Sequence, residues 1–189
     1  MPDGLGELIE ATARGDRAAY TRLVQAWRLP LHRYLRSMLH GSPAADDALQ
    51  ETLLGVYRAA PMFRGDGSAR AWLYGIARRQ AHRQTRRRVG EPAAPESLDT
   101  LGAAAGWGEI TPEAMASAAE DRARLHRALE SLDDDDREIV TLKDLEQLTN
   151  PEVAALLEIT LPAVKSRLHR ARLRLMARLR EEVADVQVT

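Results

Sequence analysis

The sequence predicts an all-α fold made of two small helical domains joined by a flexible linker. Aromatic residues make up only 4% of the chain, and glycine and proline gather between segments rather than inside them. The apolar residues of these segments recur at steps of three and four, which is the period of one face of a helix. At 189 residues the chain is long enough for two small domains, each with a core.

The first part of the chain is predicted to form three helices, over Leu5–Ala13, Asp16–Trp27 and Leu31–Leu39. Gly15 separates the first two. The Leu29–Pro30 pair separates the second from the third, because proline is tolerated at a helix start and disfavoured in its interior. The apolar residues at helical spacing are core candidates: Leu23, Trp27, Leu31, Leu35 and Met38.

A fourth helix is predicted over Pro43–Ala59, with an unusual outer face. Its core face consists of Ala45, Leu49, Leu53 and Val56, and its outer face consists of Asp47, Gln50, Glu51, Leu54 and Arg58. Two carboxylates at i and i+4 on an open helix have nothing to raise their pKa, which argues against acid–base catalysis. Two alternatives remain: a solvated face, or a protein docking surface with Leu54 as its apolar anchor.

The segment Pro61–Ser68 is predicted to be a loop, and a basic helix over Ser68–Arg88 follows it. Its later turns carry arginine on nearly every side, at Arg78, Arg79, Arg83 and Arg86–Arg88. A phosphate backbone is the natural partner of such a helix. Phe63, the only phenylalanine, lies in the loop. It either holds an unstacked base or packs against the domain, and the sequence does not decide between them.

The net charge of −1 conceals two basic blocks separated by an acidic stretch. No lysine or arginine occurs between Arg88 and Arg122, whereas seven acidic residues do. Residues 90–118 are rich in Ala, Gly, Pro and acid, and are predicted to be a linker. Trp107 is the one large aromatic residue in it. The layout indicates two nucleic-acid contacts joined by a tether.

The C-terminal part is predicted to contain helices over Ser117–Leu132 and Asp134–Leu148, then a helix-turn-helix over Leu148–Leu175. The run Asp133–Asp136 supplies an N-cap and first-turn acids. Asn150 and Thr160 are the expected caps of the last two helices. The final helix buries Val164, Leu168, Ala171 and Leu175, and its opposite side carries Pro162, Ser166, His169 and Arg170, flanked by Lys165, Arg167, Arg172 and Arg174. This pattern favours a DNA recognition helix over a plain amphipathic surface helix.

Several classes of function are disfavoured. The chain has no cysteine, which excludes disulfides and thiolate zinc sites. No apolar run is long enough to cross a membrane, and the N terminus lacks the features of an export signal, so we expect a cytoplasmic protein without membrane insertion. The five histidines show no ligand spacing, and no nucleophile motif or phosphate loop is present. We therefore expect no catalysis, cofactor, metal or small-molecule substrate.

Three segments carry a resemblance to a known family. They are DDALQETLLGVYRA, FRGDGSARAWLYGIARR and PEVAALLEITLPAVKSRLHRARLRL. They resemble regions 2 and 4 of the extracytoplasmic-function (ECF, group four) branch of the bacterial sigma-70 family. The resemblance covers about Asp16–Arg88 and Asp121–Arg180. It implies a sigma region 2 domain over residues 1–89, a linker over 90–118, and a sigma region 4 domain over 119–189.

The resemblance also implies a role for each site. Core RNA polymerase would be bound through its β′ clamp helices and its β flap, with the clamp helices on the face formed by Asp47, Gln50, Glu51, Leu54 and Arg58. The loop and the helix after it would capture a flipped base and contact the −10 element through Phe63, Arg64, Arg70, Arg78, Arg79, Arg83 and Arg86. The −35 element would be read by Lys165, Ser166, His169 and Arg170, with phosphates held by Arg167, Arg172 and Arg174.

The chain departs from the family pattern at three places. Many relatives have asparagine where this chain has Arg79, and aspartate where it has Arg83, so a family −10 sequence is not transferred. The helix-turn-helix corner lacks the usual glycine and reads Glu158-Ile159-Thr160. We expect a variant turn there rather than a broken motif.

The function implied is that of an alternative sigma factor, which binds promoter DNA with polymerase under the control of an anti-sigma factor. The linker would thread the polymerase's RNA path, or serve only as a tether. Two other functions are the alternatives: a helix-turn-helix regulator that dimerises on a palindrome, and a sigma mimic that titrates an anti-sigma factor. A regulator would need a ligand or dimerisation domain, and the N-terminal half resembles the sigma pattern instead. A sigma mimic typically carries a receiver domain, for which this chain has no room, and the intact basic recognition helix also argues against it.

Overall fold

The computed structural model describes residues 4–87, 121 and 123–186. Residues 88–120, which include the linker predicted over 90–118 and its Trp107, lie outside the described residues. Within the described ranges every regular element is helical. The all-α prediction with two helical domains is confirmed.

The N-terminal domain consists of α1 (Leu5–Ala13), α2 (Arg17–Met38), α3 (Ala44–Ala59) and α4 (Ala69–Arg87), with a 3-10 turn over Ala60–Met62 between α3 and α4. The carboxylate of Asp16 caps α2 by accepting hydrogen bonds from the backbone N–H groups of Ala18 and Ala19, at 2.8 and 3.0 Å. The bounds of α1, α3 and α4 lie within a residue of the predicted ones.

The prediction of a break at Pro30 was wrong, since α2 runs through it as one helix. Proline removes one backbone hydrogen bond from a helix interior, at a cost of about 3 kcal/mol. Leu23, Trp27, Leu31 and Leu35 are all at most 1% exposed and lie on one face across the proline. Burying each such side chain contributes about 1.5–3 kcal/mol, so the continuous stripe outweighs the lost bond.

Helices α3 and α4 approach each other closely at Gly55. A Cβ atom at this position would lie 3.1 Å from Cγ2 of Ile76 on α4. The missing side chain therefore lets the two backbones pack tightly. This contact sets the position of α4, which carries the arginines, relative to the outer face of α3.

The C-terminal domain consists of α5 over 123–130, α6 (Asp134–Val140), a π-helical segment (Thr141–Leu145), α7 (Asn150–Leu157) and α8 (Leu161–Val186). The predicted helix over Asp134–Leu148 is therefore shorter and ends as a π-helix. Asp133 caps α6, as predicted, by accepting from the N–H of Asp136 at 2.8 Å.

The first cap of the helix-turn-helix was misplaced by one residue. Thr149, not Asn150, caps α7, and it forms a capping box with Glu152. The Glu152 carboxylate accepts from the N–H of Thr149 at 2.6 Å. Thr149 is the cap because Glu152 follows it by three residues, the spacing that a capping box requires. The second cap is confirmed, since Thr160 Oγ1 accepts from the N–H of Ala163 at 3.3 Å.

The corner between α7 and α8 is a complete turn without glycine. Glu158 takes the left-handed conformation, with φ 56° and ψ 41°, where glycine is the usual residue. Its N–H bonds to the carbonyl of Ala154, which ends α7. The expected variant turn is confirmed.

The two domains pack against each other. Helix α2 contacts α6 and the π-helical segment, and α4 contacts α7. Tyr74 of α4 lies edge-on to both Trp27 and Tyr34 of α2, with ring centroids 6.4 and 5.4 Å apart. The C-terminal domain packs against this group of rings.

Candidate polymerase and nucleic-acid interfaces

The outer face of α3 is exposed, as its prediction as an interface requires. Asp47, Gln50, Glu51 and Arg58 are exposed at the surface, and Leu54 is 38% exposed. Tyr57, a neighbour on this helix that the sequence pattern did not indicate, is 46% exposed. The face thus carries two apolar groups among charged ones, which is the composition of a protein-binding surface.

A groove between α3 and α4 joins the polymerase candidates to one of the −10 candidates. It is lined by Asp47, Gln50, Glu51, Gln80, Arg83 and Gln84. Arg83, where many relatives carry aspartate, therefore lies beside the two carboxylates of α3. The sequence placed these residues on different helices, and only the fold brings them together.

The loop before α4 holds Phe63 in a packed position. Its ring lies edge-on to Trp72 with centroids 5.2 Å apart, and it also approaches α1 near Gly6. The packing alternative therefore describes this conformation. Arg64 is exposed. Met62, which was not among the predicted site residues, is 77% exposed in the same segment.

The arginines of α4 divide into an exposed and a covered group. Arg79, Arg83 and Arg86 are exposed. Arg70 and Arg78 are instead covered by the C-terminal domain. Arg78 Nε donates to Glu138 Oε1 at 3.0 Å, and Arg70 donates to the carbonyl of Gln147 at 3.2 Å and to that of Glu146.

Two buried carboxylates of the C-terminal domain anchor this contact. Glu146 is fully buried and accepts from Tyr74 Oη at 2.7 Å and from Arg33 Nε and Nη2 at 3.1 and 3.2 Å. Glu138, 3% exposed, accepts from Tyr34 Oη at 2.7 Å. Burial raises the pKa of both tyrosines, and the adjacent carboxylate charge raises it further. Both phenols are therefore neutral donors.

These two glutamates were not among the predicted site residues. A glutamate at this spacing in a charged helix looks like any solvated acid, so the sequence contained no signal for their burial. A third contact across the domains was missed for the same reason: Ser68 Oγ donates to the Glu152 carboxylate at 2.5 Å.

The strip of α8 predicted to read bases is open to solvent. Lys165, Ser166, His169 and Arg170 are all exposed. Ser166, His169 and Arg170 lie on the side of α8 opposite buried Val164, Leu168 and Ala171, and Lys165 flanks them. The strip lies in the first turns of α8, directly after the capped corner. Its position matches that of a recognition helix docked by its N-terminal half.

The arginines predicted to hold phosphates are engaged with acids of their own domain. Arg172 pairs with Asp144 at 2.5 Å, and Arg167 lies 3.5 Å from Asp135. Arg174 pairs with Asp133 at 3.0 Å and also with Asp136. The acidic run Asp133–Asp136 therefore supplies the cap and first turn of α6 and also pairs with Arg167 and Arg174 of α8.

Within the part of the chain that the structure describes, no group of three or more His, Cys, Asp or Glu side chains is arranged to hold a metal ion. None of the described helices is long and apolar enough to span a bilayer.

Comparison with known families gives two matches in the order of the two domains. Residues 23–90 match the family model for sigma-70 region 2, and residues 122–175 match that for sigma-70 region 4. Together they cover more than half of the chain. The first match falls in the N-terminal part of the chain and ends at residue 90, and the second falls in the C-terminal part.

Whole-chain relatives agree with these matches. The ECF RNA polymerase sigma-E factors of Salmonella typhimurium and Escherichia coli K12 are each 31% identical over 172 residues, which cover 87% of this chain and 88% of the relative. The RNA polymerase sigma-H factor of Pseudomonas aeruginosa is 29% identical over 174 residues, with coverage of 88% and 89%.

Solved structures show the same fold. CnrH, in complex with the cytosolic domain of CnrY, has a TM-score of 0.70 and 26% identity, covering 95% of this chain and 99% of CnrH. RpoE from Bartonella quintana, in complex with the anti-sigma factor NepR, has a TM-score of 0.66 and 21% identity, covering 85% and 96%. The chain therefore belongs to the extracytoplasmic-function sigma factors of the sigma-70 family, which direct RNA polymerase to its promoters.

Proposed function

We propose that the N-terminal (region 2) domain binds the β′ clamp helices of core RNA polymerase through the outer face of α3. The support is the exposure of this face together with its composition, in which Leu54 and Tyr57 lie among Asp47, Glu51 and Arg58. Apolar anchors surrounded by charges are typical of binding hot spots. The C-terminal (region 4) domain would contact the β flap.

The same region 2 domain would recognise and help to melt the −10 element through α4 and the loop before it. The candidates are Phe63, Arg64, Arg70, Arg78, Arg79, Arg83 and Arg86. Capture of an unstacked base offsets the few kcal/mol that unstacking costs, which is how a protein without catalysis opens a duplex. For Phe63 this role requires its ring to leave Trp72, a partner on its own domain.

The region 4 domain would read the −35 element with the exposed strip of α8. The single observation that carries this assignment is that Lys165, Ser166, His169 and Arg170 form one open strip at the start of a capped second helix. Arg and Lys donate to guanine edges in the major groove, and Ser to several bases. Arg167, Arg172 and Arg174 would hold phosphates after exchanging their carboxylate partners.

We further propose control by an anti-sigma factor, with the protein acting in the cytoplasm beside polymerase and carrying out no catalysis. The support is that RpoE, whose fold this chain shares, was solved bound to the anti-sigma factor NepR.

The test is run-off transcription with core RNA polymerase on a genomic fragment library, which identifies promoters and function together. The matched variants are Asp47→Lys/Glu51→Lys and, as control, Glu10→Lys at an exposed position of α1. We expect the double variant to lose core binding in pull-down and to give no transcripts, with an unchanged circular dichroism spectrum. Undiminished core binding by the double variant would refute the docking face.

A further inference from the structure

A cavity of about 200 Å³ lies beside α2, between that helix and α5. Its apolar wall is formed by Leu125 and Leu129 of α5 and by Leu145 of the π-helical segment. Three arginines line the remainder, two from α2 and one from α6. None of the lining residues belongs to the polymerase, −10 or −35 candidates, so the proposed function does not account for this cavity.

The three arginines differ in whether they have a partner. Arg33 donates to the carboxylate of Glu146 at 3.1 and 3.2 Å. Arg137 is bonded to backbone carbonyls and to Asp134 at 2.8 Å. Arg36 has neither kind of partner: its buried Nε makes no hydrogen bond, and no acidic side chain of the described residues pairs with its guanidinium.

The burial of Arg36 makes the missing partner significant. The residue is only 8% exposed. A guanidinium stays charged when it is buried, because its pKa lies above about 12. Buried charges in proteins are paired or bind a charged group, since an unpaired charge out of water is very unfavourable. Arg36 therefore has an unused capacity to bind an anion at the cavity.

The acidic side chain that lines the cavity does not serve as this partner. Glu130 lies 3.4 Å from Nδ1 of His126 and forms no ion pair with Arg36. Gly41 adjoins the guanidinium without a side chain, since a Cβ atom there would lie 3.5 Å from Nη2 of Arg36. The absence of a side chain at Gly41 leaves room beside the charged group.

We propose that this cavity binds a small monocarboxylate whose apolar body is about the size of one ring. The carboxylate would accept two parallel N–H bonds from the guanidinium of Arg36, the geometry in which arginine binds carboxylates. The apolar body would lie against Leu125, Leu129 and Leu145. A cavity of about 150 Å³ lined by aliphatic side chains holds benzene. At about 200 Å³ this cavity has room for a ring and its carboxylate.

The two sides of the cavity together define the class of ligand. A neutral apolar molecule would fill the wall but leave the charge of Arg36 unpaired. Inorganic phosphate would pair with Arg36 but turn its other oxygens toward leucine side chains, where they have no donors. A carboxylate on an apolar body satisfies both sides.

A ligand in this position contacts the region 2 domain through α2 and the region 4 domain through α5. Binding to the folded chain alone stabilises it by an amount that grows with the ratio of ligand concentration to Kd. The melting temperature of the full-length protein should therefore rise with added ligand, which gives a readout that is independent of transcription.

The test is a titration of benzoate, with benzamide as its neutral analogue, into the full chain carrying labelled leucine methyl groups. In wild type we expect benzoate to shift the methyl signals of Leu125, Leu129 and Leu145, and to bind roughly tenfold more tightly than benzamide. Arg36→Met keeps the length of the side chain without its charge, and should abolish this preference. Arg28→Met is the matched control, because Arg28 is exposed on the same helix, and it should keep the preference.

Several results would overturn the proposal. They are no binding of benzoate to wild type at about 10 mM, equal binding of benzoate and benzamide, and shifts confined to leucines outside the cavity. Acetate bound as tightly as benzoate would refute the apolar part of the ligand class. If Arg36→Met failed to fold, Leu125→Trp decides, because the larger ring fills the cavity and must abolish binding. Retained benzoate binding by folded Leu125→Trp would refute the site.

These outcomes are separate from those that test promoter recognition. Loss of benzoate binding in Arg36→Met leaves the polymerase, −10 and −35 assignments as they are, because no residue of those surfaces is changed. Conversely, failure of the run-off assay would leave the cavity and its unpaired arginine in place.

Discussion

Arg137 is the buried cation on which the start of the region 4 domain depends. It is 2% exposed, and its guanidinium joins the end of α5 to the start of α6. It donates to the carbonyls of Leu129, Glu130 and Leu132 at 2.9, 3.1 and 2.5 Å, and to Asp134 at 2.8 Å. No neutral side chain can supply these four bonds.

The substitution Arg137→Ala should therefore be severe. It leaves the acceptors of Leu129 and Leu132 buried without this donor, and each such loss costs about 1–3 kcal/mol. Water that enters the vacated space bonds to some of these carbonyls and reduces the loss. We therefore expect the free energy of unfolding of the region 4 domain to fall by about 3–5 kcal/mol. This is a large share of the 5–15 kcal/mol that is typical of a whole domain.

Urea denaturation followed by circular dichroism, with hydrogen exchange of the α6 amides, measures the loss in this domain. The matched control is Arg178→Ala, because Arg178 is 55% exposed and pairs only across one turn with Glu181. An exposed pair of this kind contributes about 0–1 kcal/mol. If the two alanine variants differed by less than about 1 kcal/mol, the reasoning from buried acceptors would be refuted.

Three further predictions concern other sites. Arg170→Ala should reduce the preference for the −35 sequence over a scrambled duplex by about 1–3 kcal/mol in fluorescence anisotropy, whereas equal losses on both would make it a phosphate contact. Phe63→Ala should impair promoter opening more than closed-complex binding, and permanganate footprints like those of wild type would remove its role. Burial lowers the pKa of His32 below its ordinary 6.5. The charge of Asp46 raises this pKa in part, and the charge of Arg36 lowers it further. The unfolded protein therefore takes up a proton on His32 at a higher pH than the folded protein does. The free energy of unfolding should fall as pH drops below about 6.5, and it should fall less in His32→Gln. Urea denaturation at a series of pH values measures this dependence. An equal change of the free energy of unfolding with pH in wild type and His32→Gln would contradict the prediction.

The elements that the sequence predicts well are those governed by neighbours along the chain. Val164, Leu168 and Ala171 form a stripe at helical spacing, and all three are buried. Asp133 and Thr160 are caps because a short polar side chain preceding an apolar stripe favours that role. The predicted cap, Asn150, lies one residue after the actual cap, Thr149. Thr149 forms a capping box with Glu152, whose two reciprocal hydrogen bonds are more favourable than the single bond of a cap at Asn150.

The elements that the sequence does not predict depend on distant contacts. Pro30 lies within a helix because the core on either side of it is continuous. Glu138 and Glu146 are buried by Tyr34, Tyr74 and arginines more than 50 positions away. Nothing local distinguishes these glutamates from the exposed Asp47 and Glu51. The candidate residues on α3 are exposed, and so are those on α8 apart from the half-buried Arg167. The partial covering of Arg70 and Arg78 depends on the fold.

The carboxylate partners of Arg167, Arg172 and Arg174 have a consequence for how DNA binding responds to ionic strength. Each cation that neutralises a phosphate releases condensed counterions, and the slope of log K against log salt counts them. An arginine that leaves an aspartate for a phosphate also frees a carboxylate, which gathers cations from solution. The region 4 domain should therefore show a shallower salt slope than its number of phosphate contacts implies, and removing Asp144 should steepen it.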